Sequence, residues 1–322
     1  MFTRCRVLVA IAALAMVTTP SWGQPGSVAQ VKTQAPGFYR FMVGDIEVTA
    51  LNDGVIPYRT AQVLPTATPE QIARGLSAMG LTDPVDMSYN GYLVNTGERL
   101  ILIDTGTGGK LDDSPYFRGA GRLLANLHAA GYRPEQVQEI YITHLGPDHV
   151  GALTRDGVAV FPNAVVRASR REVAQFLEQR SPEVEAKDWR LKFWRDLFAP
   201  YIKAGRFQPF EQDTVLVPGI RSLATHGHTP GHTSYVVESG GQRLIVLGDL
   251  VLVGALQFEQ PILESVFDAD RPAAVTTRRR VLQLAGDGDY WVAGAHLSFP
   301  GIGRIRTGPE GYRFVPVSYR LP

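Results

Sequence analysis

Cysteine is almost absent: the 322 residues contain one, Cys5, near the start. A chain that has lost its first two dozen residues would have none, which excludes a disulfide framework and any thiolate metal ligand. An excess of either charge is missing too. With 32 basic and 31 acidic residues the formal net charge is +1, and no Lys/Arg block is long enough to track a phosphate backbone. The densest block, Arg278-Arg279-Arg280, reads as a solvated helix face, so nucleic acid is not an expected partner. After the first residues no apolar run approaches the roughly 20 residues of a membrane helix, and stable membrane insertion is not expected. Disorder is excluded by composition, since 44% of residues are apolar and only 20% charged.

What is present begins with a leader. Arg4 and Arg6 precede the apolar run Val7 to Val17, and Ser21-Trp22-Gly23 supplies small residues at the −3 and −1 positions of a cleavage site. Residues 1–23 read as a signal peptide, 24–36 as a polar lead-in with Pro25, Gly26 and Pro36, and 37–322 as one domain. The expected location is secreted or periplasmic.

Along the domain, short β-branched and aromatic runs alternate with amphipathic helices, the pattern of an α/β protein. Phe41 to Leu51 alternates as a strand or hairpin ended by Asn52-Asp53-Gly54. Thr68-Pro69-Glu70-Gln71 has an N-cap, a proline at N1 and the Gln of a capping box, and predicts a helix to about Met79. Gly91 to Val94 and Leu100 to Ile103 read as paired strands, the second ending in Asp104-Thr105-Gly106. Helices are expected before Gly131, over 170–179, over 187–201 and from Asp270 to about Leu284. Ala159 to Phe161 reads as strand-like.

Chemistry enters at the strand ends. Ile140-Tyr141-Ile142-Thr143 delivers His144, Asp148 and His149 into a Gly-Pro loop. Ile220 to Thr225 leads into His226-Gly227-His228-Thr229-Pro230-Gly231-His232, Leu244 to Leu247 into Gly248-Asp249, and Tyr290 to Ala293 into Gly294-Ala295-His296. Six of the seven histidines sit in three short loops, and only His128, on a helix, stands apart. One loop histidine says little, but imidazoles and carboxylates gathered at successive strand ends predict a metal site.

These motifs resemble the metallo-β-lactamase-fold hydrolases, whose first motif is H-x-H-x-D-H. The stretches Gly91 to Gly97, His226 to Tyr235, Leu247 to Leu250, Ala293 to Gly303 and Gly311 to Val317 are similar to methyl parathion hydrolase and its lactone- and ester-cleaving relatives. The resemblance covers about residue 35 to the C-terminus and implies an αβ/βα sandwich with two Zn²⁺ positions. His144 and His228 would hold one, Asp148, His149 and His296 the other, and Asp249 would bridge them. Asp104 would orient a ligating imidazole, while His226 and His232 match positions that are not ligands. Gly146 stands where the family has its second histidine. One zinc is therefore expected to be held tightly and a second weakly, with other divalent metals allowed.

The implied function is hydrolysis of a small neutral ester, such as an organophosphate triester, aryl ester or lactone, by a metal-activated water. Asp249, His144 and His228 are the expected catalytic residues, and Phe176, Trp189, Trp194, Phe258 and Phe267 the pocket wall. Gly146 motivates a different reading, a degenerate non-catalytic metal- or ligand-binding protein. A β-lactamase is a further alternative, and a homodimer is left open.

Overall fold

Burial that alternates along the strands explains why the domain has two sheets with helices outside them. In Leu100–Ile103 (β4), Ile101 and Ile103 enter one core, while Leu100 and Leu102 enter another. In Gln242–Gly248 (β12), Leu244 and Val246 share a core with Ile101 and Ile103, while Ile245 and Leu247 face a third. Strands that are apolar on both faces must be covered on both. The shared core lies between the sheets, and the others lie under helices. The architecture is an αβ/βα sandwich.

The computed structural model describes residues 29–109, 117–176, 189–308 and 311–319. The first sheet contains Phe38–Val43 (β1), Ile46–Tyr58 (β2), Val85–Asn95 (β3), β4, Glu139–Tyr141 (β5) and Val165–Arg167 (β8), in the order β1-β2-β3-β4-β5-β8. A hairpin of Thr154–Arg155 (β6) and Val158–Ala159 (β7) stands apart. The second sheet runs β15-β14-β13-β12-β11-β10-β9, from Tyr312–Pro316 (β15), Ile302–Thr307 (β14), Trp291–Gly294 (β13), β12, Thr233–Ser239 (β11) and Ile220–Ala224 (β10) to Val215–Val217 (β9). Among the described residues the helices are Thr60–Val63 (α1), Pro69–Ala78 (α2), Leu123–Ala129 (α3), Pro147–Val150 (α4), Arg170–Phe176 (α5), Trp189–Lys203 (α6), Gly254–Gln257 (α7) and Arg271–Asp287 (α8).

Most strand pairs are antiparallel, but β4–β5, β5–β8 and β12–β13 are parallel. A parallel pair brings consecutive carboxyl ends to the same sheet edge, because the chain must cross back between them. The crossover between β4 and β5 carries α3, whose Leu123 and Leu127 pack in the core beneath the first sheet. The one between β12 and β13 carries α8, with Val281, Leu282 and Ala285 against the second. Tyr141 and Tyr235 stack at 5.4 Å between the sheets, and the Tyr235 hydroxyl donates to Ile142 O at 2.6 Å.

Several expectations hold, and others need correction. The Thr68 capping box is present and α2 ends as expected. The strand over Phe41 to Leu51 is a hairpin turning at Gly44-Asp45, and Asn52-Asp53-Gly54 does not end it. Instead β2 shifts register there, and the buried Asp53 carboxylate accepts from Thr107 N (2.8 Å), Thr107 Oγ1 (2.8 Å), Gly121 N (3.1 Å) and Leu123 N (2.9 Å). Four donors outweigh the turn preference of an Asp-Gly pair. The strand at Ala159 to Phe161 shrinks to β7, and Phe161 is core. Arg278 is not on a solvated face. It is 1% exposed and donates to Leu250 O (2.5 Å), Leu263 O (2.8 Å) and Asp268 Oδ2 (3.3 Å).

Candidate metal centre

The parallel pairs β4–β5 and β12–β13 put Asp104, His144, Asp249 and His296 just beyond the ends of their strands. The one-turn helix α4, opened by Gly146 and Pro147, adds Asp148 and His149, and the loop after β10 adds His228. All of these side chains except that of Asp148 are buried.

Asp249 lies at the middle. Its Oδ1 is 3.2 Å from both His149 Nε2 and His296 Nε2, while its Oδ2 is 3.2 Å from His296 Nε2, 3.3 Å from His228 Nε2 and 3.8 Å from His144 Nε2. Asp148 Oδ2 is 3.4 Å from His149 Nε2 and from His296 Nε2. Two groups thus converge: His144, His149 and Asp249, and Asp148, His149 and His296, with the donor atoms of each within 4.8 Å of one another. Among the described residues, the Asp249 carboxylate is the one acid that reaches all four of these imidazoles.

The far nitrogens of the imidazoles are fixed by acceptors. His149 Nδ1 donates to Asp104 Oδ2 at 2.7 Å, His228 Nδ1 to Asp268 Oδ1 at 3.0 Å and His296 Nδ1 to Ser88 O at 3.1 Å. Each bond fixes the ring with Nε2 turned to Asp249, the orientation a ligating imidazole needs once that nitrogen gives up its proton. Asp104 holds its place with φ +60°, an uncommon backbone for a non-glycine, and accepts from Thr143 N and Oγ1 at 2.8 and 2.7 Å. In His232, Nδ1 donates to Thr225 O and Nε2 accepts the Asp249 amide at 3.0 Å. Burial and the neighbouring His228 push its pKa down to about 3, so it stays neutral and holds the Asp249 backbone. Gly248, at φ +59°, makes that contact possible, since a Cβ there would lie 2.6 Å from His232 Nε2. His226 lies outside the cluster, against Arg171 Nη1 and Gln212.

The charges favour a cation. Burial opposes ionisation of Asp249, yet His296, His149, His144 and His228 together hold its carboxyl well below the usual range. Burial also opposes a charge on His149, but Asp249, Asp148 and Asp104 raise its pKa well above the ordinary value. His149 Nε2 and Asp249 Oδ1, both buried, have no hydrogen-bond partner. Buried polar atoms are rarely left so. Two ligands about 2.1 Å from one tetrahedral ion lie roughly 3.4 Å apart, which is the spacing found between most of these donors. Imidazole nitrogens and carboxylate oxygens without thiolate suit zinc and similar divalent ions. The residues fit the group.

Gly146 contributes nothing to the donor set, but its backbone is ordinary, with φ −65° and ψ 139°. The space above it is filled by the neighbouring ring: a Cβ would lie 2.5 Å from His144 Nε2 and 2.9 Å from His149 Cδ2. A side chain here would require the His144 ring to move.

Around the cluster, Tyr89 meets the His296 ring edge-on at 5.1 Å and shares a 2.6 Å hydrogen bond with the Tyr58 hydroxyl. Phe267, half-exposed, lies edge-on to Tyr58 at 6.4 Å. The other expected wall residues differ. Trp194 is buried in the core under α6 and donates from Nε1 to Leu145 O at 2.6 Å. Phe258 is buried and stacks on Phe314 at 5.2 Å. It lines a cavity of about 700 Å³ that reaches His296. The side chains of Phe176 and Trp189 lie outside the described residues. Sequence reading missed Asp53, Ser88, Tyr89, Glu172 and Asp268. Of these, only Asp268 carried a signal, as an acidic residue just before the Asp270 helix cap.

The profile of the Metallo-beta-lactamase superfamily matches residues 85–296. Among solved structures, the chain is similar to the hydrolase AbOPH of the beta lactamase superfamily, at 32% identity over 90% of this chain and 100% of that one, with a TM-score of 0.83. It is also similar to AidC, a dizinc quorum-quenching lactonase, at 26% identity over 88% and 99% of the two chains, with a TM-score of 0.78. An N-acyl homoserine lactonase of Bacillus cereus is 27% identical over 193 residues, 56% of this chain and 70% of the relative.

Proposed function

Since the chain belongs to the metallo-beta-lactamase superfamily, we propose that it is an exported, zinc-dependent hydrolase of neutral esters, with lactones the foremost substrates. The superfamily and the similarity to lactonases support this reading. One observation carries it: a single buried carboxylate, Asp249, faces four imidazoles within 3.2 to 3.8 Å. Export rests on the leader pattern of residues 1–23.

Bound there, zinc would supply a Lewis acid and bring the pKa of a water toward 7. His149, His296, Asp148 and Asp249 would hold it at the position with the full donor set. His144 and His228, with Asp249, would hold a weaker second ion. The protein's own part is preorganisation. Asp104, Asp268 and Ser88 aim the imidazoles, and the buried donors exclude bulk water. Burial and the neighbouring His149 keep His144 well below the usual histidine pKa, so at neutral pH its ring is uncharged and its lone pair is available to a metal. The cavity that reaches His296 is lined mostly by apolar side chains, Met87, Leu252, Phe258 and Leu297 among them, which suits an uncharged substrate. Aryl esters and phosphotriesters are the neighbouring classes.

The test is turnover by the purified mature chain of an N-acyl homoserine lactone, methyl parathion and a β-lactam, beside its zinc content. Lactone opening that stops with chelator and returns with zinc is expected. Metal binding without turnover of any ester would favour the non-catalytic reading suggested by Gly146, and turnover of the β-lactam alone would overturn the ester assignment.

A further inference from the structure

One buried carboxylate near the centre belongs to none of the groups that converge on Asp249. Glu172, on α5, is 1% exposed. Its Oε1 accepts the Leu145 amide at 2.9 Å, and its Oε2 accepts the Thr229 hydroxyl at 2.7 Å and the Gly231 amide at 2.9 Å. Leu145 follows His144, and Thr229 follows His228. One side chain therefore takes donors from two loops, one leaving each sheet, and each loop carries one imidazole of the same weaker position. The two rings meet edge-to-face at 4.7 Å.

The fit around Glu172 is close. A Cβ on Gly231 would lie 2.2 Å from the Glu172 amide nitrogen, so only glycine lets the His228 loop rest on the start of α5. The Ser169 hydroxyl fastens the same contact, donating to Gly231 O at 2.9 Å and accepting the Glu172 amide at 3.1 Å. Trp194 holds the carbonyl of Leu145 while Glu172 holds its amide. The peptide between His144 and Gly146 is thus fixed from two helices. The other position is fixed differently, through Asp104 and Ser88, and Glu172 touches neither.

We propose that Glu172 is a positioning residue that ties the His144 loop to the His228 loop and so assembles one of the two metal positions. This rests on the metal reading above. Glu172 takes over part of what a ligand at 146 would do, by holding two imidazoles in register that share no further protein ligand except Asp249.

The test is zinc and cobalt titration of the full chain against a competing chelator, which reads the two equivalents separately, with the cobalt absorption spectrum as a second readout. In Glu172→Ala the weaker equivalent should fall about ten- to hundred-fold in affinity, the usual effect of losing an outer partner, while the tighter one is unchanged. Glu172→Gln keeps one acceptor but presents an amide N–H₂ to donors, so it should fall between the two and serves if the alanine variant does not fold. A merely structural role would lower the melting temperature and leave the ratio of the two affinities alone, and that result overturns the proposal. So does a wild-type chain that takes up one equivalent with metal in excess. A chain that binds no metal would instead sink the metal reading itself.

Discussion

Gly146 shows how much one residue decides in a preformed loop. Its backbone angles suit any amino acid, so what the position lacks is a side chain. Restoring one has a steric condition, because the His144 ring occupies the space a Cβ would enter. Gly146→His is expected to swing His144 aside, add an imidazole and raise zinc occupancy toward two per chain with a gain in turnover. Gly146→Ala imposes the same displacement without a ligand and should lower both. Metal analysis of the two variants beside the parent decides it, and equal behaviour of the pair would mean that no ligand is missing at 146. At this scale the ligand candidates were legible because histidine is rare and six of the seven sit in three short loops at strand ends. Their supporters were not. Asp53 looked like a turn, Glu172 like an ordinary helix residue and Arg278 like part of a charged face, because burial of a charge is set by contacts far apart in sequence.

Elements were legible where local chemistry dominates. The capping box of α2 and the Asp270 start of α8 were readable because a side chain three residues away from its partner settles them. Boundaries failed where tertiary bonds win, as in the continuation of β2 through Asn52-Asp53-Gly54. Asp270 Oδ1 accepts the Ala273 amide at 3.0 Å and opens the helix that carries Arg278, whose guanidinium meets Asp268 behind His228. Asp270→Ala should cost about 1 kcal/mol, the usual loss of an N-cap, measured by denaturant unfolding. Since the buried Arg278–Asp268 pair is fixed by other bonds, metal content should stay at the parental level.

For the whole molecule, the candidate ligands come from both sheets: His144, Asp148 and His149 follow β5, and His228, Asp249 and His296 follow strands of the second sheet. A bound ion would therefore clamp one half to the other. Metal at a hundred times its Kd stabilises the folded state by about 2.7 kcal/mol, and chelation should lower the melting temperature by several degrees in one cooperative transition. An unchanged melting curve would show that the ion does not join the halves. The Tyr141–Tyr235 stack and the bond from Tyr235 to Ile142 O lie in the core between the sheets, two residues before His144. They give the inter-sheet core a second role, as a gauge of the distance between the two ligand sets. On the metal reading, affinity would be a trait that evolution or an engineer could tune from deep inside the sandwich, without altering a single candidate ligand.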